Sequence, residues 1–118
     1  MRTFYLEELK NNLINLDAII REICQDPSNQ QKISECKILF HSIKGDSGII
    51  GAKNMYRYCS LFESLLSNKE IKINNYYILL KQSLKTLKMV LDKNIKEDDF
   101  DLDKKFLIEL ELALDEKK

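Results

Sequence analysis

Apolar residues recur along this chain at helical spacing. Advancing about 100° per residue, Tyr5, Leu6, Leu9, Leu13, Leu16, Ile20, Ile23 and Cys24 fall on one stripe and predict a long amphipathic first helix. The pattern breaks at DPSN, residues 26–29, where Pro27 disfavours helix at Asp26 and Ser28 or Asn29 can cap the next helix. A second helix is predicted from Gln30 to Ile50, with Cys36, Leu39, Ile43, Ser47 and Ile50 inward, and a third from Ala52 to Leu66, with Met55, Tyr58, Cys59, Phe62, Leu65 and Leu66 on one face. After the connection SNKEIKINN, a fourth helix capped by Asn74 or Asn75 would bury Tyr77, Leu80, Leu84, Leu87, Leu91 and Ile95. The acidic linker KEDDFD then leads to a fifth, striped by Phe106, Leu107, Leu110, Ala113 and Leu114, with Asp101 or Asp103 placed for its N-terminal end.

No strand pattern competes with these helices, and short connections make neighbouring long helices pack antiparallel. The expected fold is all-α: an up-and-down antiparallel four-helix bundle with an additional C-terminal helix, forming a single domain over residues 1–118. The 19 basic and 19 acidic side chains cancel, so no global field exists to gather nucleic acid or an anionic membrane, and the expected partner is a protein. Glu7, Glu8 and Lys10 interrupt any signal-peptide core, and no later apolar run is long enough to span a bilayer, which predicts a cytoplasmic protein. Cys24, Cys36 and Cys59 are too far apart in sequence to suggest a disulfide framework or a zinc site, and are expected to be buried free thiols.

One segment resists this simple pattern. FHSIKGDSGIIGA, Phe40 to Ala52, holds the only histidine and all three glycines. With His41 at zero on the helical wheel, Gly45 lies about 40° to one side and Gly48 about 20° to the other, while Leu39, Ile43 and Ile50 lie between about 160° and 200°. His41 is therefore expected to face out of the bundle. A helical glycine costs on the order of 1 kcal/mol against alanine, and two on an outward face suggest that another molecule approaches closely there. Ser47 points inward on the same wheel and is read as a close-packing residue.

The run His41-Ser-Ile-Lys44-Gly45-Asp-Ser47-Gly48-Ile-Ile-Gly51-Ala resembles the His-x-x-Lys-Gly-x-Ser/Ala-x-x-x-Gly signature of histidine phosphotransfer (HPt) domains. Met55, Cys59, Phe62 and Glu63 extend the likeness through the third helix. HSIKG followed 22 residues after His41 by Glu63 is particularly similar to the amino-terminal phosphotransfer domain of chemotaxis kinases, although Ser60 stands where those domains often carry a second polar ring.

The resemblance implies that His41 is phosphorylated, that Lys44 offsets the phosphoryl charge, and that Gly45, Gly48, Ser42 and Lys37 form the surface on which a partner docks. It further implies that Glu63 holds the proton on Nδ1 and leaves Nε2 as the acceptor. No nucleotide-binding glycine loop remains once these three glycines are assigned, so the phosphoryl group must come from a partner. The implied partners are a histidine kinase catalytic domain and the receiver domain of a response regulator. No cofactor is expected on this chain, Mg²⁺ belonging to the partner. Three functions remain open: a phosphorelay carrier, the substrate domain of a chemotaxis-type kinase, and a helical interaction module that is never phosphorylated.

Overall fold

The computed structural model describes residues 2–26, 28–67, 80–89, 101–102 and 104–116. All regular structure among these residues is helical: α1 (Arg2–Gln25), α2 (Gln30–Ile50), α3 (Lys53–Ser67), α4 (residues 80–89) and α5 (Lys104–Glu116). The predicted connection SNKEIKINN lies outside the described residues beyond Ser67, as does KEDDFD apart from Asp101. So do the predicted cap at Asn74 or Asn75, Tyr77, Leu91, Ile95 and Asp103.

α1 buries the predicted stripe from Tyr5 to Ile23, with each of its seven apolar members under a tenth exposed. Cys24 is the exception: it is exposed, in the last turn of α1 at the edge of the stripe, which corrects the expectation of three buried thiols. Cys36 and Cys59 are buried. Burial pushes the Cys36 thiol up to about 12, and burial together with the Glu63 charge raises Cys59 further, so both are protonated thiols at neutral pH.

α2 starts and stops for local reasons. Asn29, in extended backbone, accepts the Lys32 N–H at 3.2 Å as the N-cap. At the other end Gly51 takes φ 84°, in the left-handed region, and the Ala52 N–H reaches back to the Ser47 carbonyl at 2.9 Å. This six-to-one closure is the Schellman arrangement, and it gives the third glycine of the segment a purely conformational job.

The inner face of α2 differs from the predicted one. Cys36, Phe40, Ile43 and Ser47 are its buried residues, whereas Leu39 and Ile50 are only half-buried. The core-facing direction therefore lies about 130° from His41 on the Phe40 side, not opposite the ring. Phe40 explains the rotation: it stacks on Phe62 with centroids 5.5 Å apart, and Tyr58 meets Phe62 edge-on at 5.0 Å. α2 packs against both α1 and α3. On the α1 side Ser47, fully buried, shares a 3.1 Å hydrogen bond with the Tyr5 hydroxyl, whose pKa burial pushes up to about 12.

α5 is fastened to α3 at two places. Asp101, expected near the start of α5, turns its carboxylate to the N-terminus of α3, where it accepts the N–H groups of Asn54 at 3.0 Å and Met55 at 2.9 Å. Asn54 answers by donating its side-chain amide to the Leu102 carbonyl at 2.8 Å, and Leu102 is buried. Farther along, the Arg57 guanidinium holds Glu111 through two contacts, of 2.6 and 3.2 Å. Leu80, Leu84 and Leu87 of α4 and Leu107, Leu110 and Leu114 of α5 join the same core.

Candidate functional site

The rotation of α2 settles how its outward residues divide. Lys37, Lys44 and Gly48 lie on the side of His41 that turns toward α3, whereas Ser42 and Gly45 turn away from it. The His41 side chain is 72% exposed.

α3 supplies the other half of the site. Phe62, fully buried, fixes the rotation of this helix, and Glu63 beside it is thereby aimed at α2. Glu63 Oε1 lies 2.9 Å from His41 Nδ1, and Oε2 accepts from Lys44 Nζ at 3.3 Å. One carboxylate thus bridges the two side chains that the sequence singled out. Partial desolvation pushes the Glu63 carboxyl up, but the hydrogen bonds and charges of His41 and Lys44 outweigh it and hold the carboxyl below its ordinary 4.5.

A neutral imidazole facing an ionised carboxylate at Nδ1 keeps its proton on that nitrogen and its lone pair on Nε2. Among the described residues Nε2 has no hydrogen-bond partner. The site therefore presents an oriented, exposed imidazole and an ammonium group on one shared carboxylate.

Tyr56 completes this side. Lys44 Nζ lies 5.3 Å from the centre of its ring, and a Cβ built on Gly48 would touch the ring edge at 3.5 Å. A Cβ on Gly45 would meet nothing within 4 Å. The two glycines are thus unequal: this chain's own tyrosine occupies the space beside Gly48, and only Gly45 leaves its space open. Contacts advance along α2 from His41 to Lys44 to Gly48 while they retreat along α3 from Glu63 to Tyr56.

Lys37 is half-buried and Ser42 exposed, both beside the ring without joining this network. Ser60 donates to the Tyr56 carbonyl at 3.0 Å, so its hydroxyl serves its own helix. Sequence reasoning missed Tyr56, and it missed the exposed Ile38 and Ile49, which flank Gly45 on the far side of His41. Two isoleucines outside an otherwise consistent stripe were a readable sign; Tyr56 gave none, because its place depends on the register between helices.

A family model described as Hpt domain matches residues 1–116. The chain belongs to the Hpt domain family. Hpt domains perform histidine phosphotransfer in two-component signalling, and they interact there with kinases and receiver domains. No solved structure matches the chain significantly. Among the described residues of this Hpt domain, no three His, Cys, Asp or Glu side chains are grouped so as to hold a metal ion, and no helix is long and apolar enough to cross a membrane.

Proposed function

We propose that this Hpt domain carries a phosphoryl group on Nε2 of His41, between a histidine kinase catalytic domain and the aspartate of a receiver domain. The observation that carries this reading is the 2.9 Å contact between Glu63 and Nδ1 of an otherwise exposed imidazole. Nε2 attacks phosphorus, the N–P bond forms as the donor's P–O bond breaks, and the donor oxygen leaves with the electron pair. The positive charge gained by the ring is shared with Nδ1–H, next to the Glu63 carboxylate. Lys44, paired with the same carboxylate, offsets the charge of the arriving phosphoryl oxygens.

Gly45 is the docking point, with Gly48, Ser42 and Lys37 around it and Ile38 and Ile49 as an apolar flank. Mg²⁺, where the chemistry needs it, is held by the partner, and this chain requires no cofactor. The domain works in the cytoplasm as a single unit of residues 1–118. Its helices form an up-and-down antiparallel four-helix bundle with α5 added, an arrangement supported by the opposed order of contacts along α2 and α3.

A second, narrower reading is that the domain is the phospho-accepting substrate domain of a chemotaxis-type kinase. The contact of His41 with Glu63 favours it, because that spacing is what makes the segment similar to those kinases.

Both readings are tested by incubating the wild-type chain and His41→Gln with radiolabelled phosphorylated receivers and with kinase domains from the same genome. Acid-labile label is expected on the wild type and none on His41→Gln. Label from an ATP-loaded chemotaxis-type kinase domain would select the narrower reading. Equal labelling of both proteins would move the acceptor elsewhere, and no label on either would leave the unphosphorylated interaction module.

A further inference from the structure

We infer that Tyr56 is a positioning residue for phosphoryl transfer: its ring, seated beside Gly48, holds the Lys44 ammonium at the junction of Glu63 and His41. This rests on the reading of His41 as the acceptor.

A lysine on an outward helix face is ordinarily free to sweep through its rotamers, and confining it has an entropic cost. Lys44 is restrained from two directions. Glu63 Oε2 holds it at 3.3 Å, longer than the usual span of about 2.7–2.9 Å for a charge-assisted hydrogen bond, so the carboxylate alone is a loose tether. The Tyr56 ring supplies the second restraint, with Nζ 5.3 Å from its centre, inside the roughly 6 Å within which a cation is attracted to an aromatic face.

Tyr56 has no comparable task in the core. It is 44% exposed, and the packed aromatic cluster consists of Phe40, Tyr58 and Phe62. Its seat is set by Gly48, whose missing side chain lets the ring edge come within 3.5 Å of where a Cβ would stand. A residue at 48 larger than alanine would lift the ring. Tyr56 and Glu63, seven positions apart on α3, share one helix face, so a single side of α3 supplies both restraints on the Lys44 ammonium.

What the ring contributes is therefore a face, which Phe retains and Leu lacks. The test uses the full chain with a radiolabelled phosphorylated receiver that labels wild type, measuring initial transfer rate against receiver concentration for Tyr56→Phe, Tyr56→Leu, Lys44→Ala and the double variant Lys44→Ala with Tyr56→Leu. Tyr56→Phe should match wild type, and Tyr56→Leu should lower kcat about two- to fivefold with KM for the receiver unchanged. In the Lys44→Ala background the tyrosine change should add nothing, since the interaction it removes is already absent. The inference is overturned by an equal loss in both backgrounds, by a loss in Tyr56→Phe as large as in Tyr56→Leu, by a change confined to KM, or by no change at all. His41→Gln is run alongside: label on that protein sinks the acceptor reading itself, whereas its loss combined with normal transfer by Tyr56→Leu sinks only the role of Tyr56.

Discussion

The two faces of α2 obey different rules within one stretch of backbone. The inner face presents Cys36, Phe40, Ile43 and Ser47, all essentially out of water and packed on α1 and α3. The outer face presents an exposed histidine and two glycines, residue choices that lower helix stability and, at Gly45, leave open space. The difference teaches that the residues holding the helix in the core and those of the proposed phosphoryl site lie on separate sides of it, and α3 touches both. Phe62 is buried against the inner face, and its neighbour Glu63 reaches the outer one.

The comparison is broken most strongly at the aromatic cluster. Phe62→Ala should cost about 3–5 kcal/mol through lost burial and a residual cavity. By contrast His41→Gln should shift stability by less than about 0.5 kcal/mol, as an exposed substitution does. Denaturant unfolding of the two variants checks this, and similar losses would mean that the faces are not separate.

A smaller effect sharpens the contrast between glycines of the same signature. Gly51→Ala should destabilise by about 1–2 kcal/mol, because a side chain there must adopt a left-handed backbone. Gly45→Ala, with open space around the new methyl, should stabilise by up to about 1 kcal/mol and yet slow transfer from a receiver. Thermal melts together with labelling rates separate the two. A destabilised Gly45→Ala protein would show that this glycine serves internal packing.

The smallest effect concerns the bridge between the faces. Glu63 is held below its ordinary 4.5, so its contribution is complete above that value and is lost as pH falls through the lower folded value. Wild type should exceed Glu63→Gln in stability at neutral pH by under about 1 kcal/mol, and the gap should close in acid. Melting curves at a series of pH values check the sign; a gap that widens on acidification would contradict the pairing with His41 and Lys44.

Much of the fold was legible because its signals are local. The bounds of α2 fell at Gln30 and Ile50 because an asparagine cap and a left-handed glycine mark them in sequence. The centre of its buried face was misplaced because Leu39 and Ile50 were weighted over Phe40, and only packing on Phe62 and Tyr58 reveals which side wins. The pairing of His41 with Glu63 was accessible through resemblance, being a fixed spacing within one helical hairpin. The Tyr56 ring beside Gly48 and the turn of Asp101 toward α3 were not, since each depends on how separate helices come into register.

That turn of Asp101 bears on the order in which the molecule assembles. The carboxylate meets Asn54 and Met55 across separations of 47 and 46 residues, so the first turn of the helix carrying Glu63 is completed by chain that emerges long after it. Contacts of such range close slowly, because loop entropy is lost before any bond repays it. During synthesis, α3 therefore remains without this cap until residues 101 and 102 have emerged.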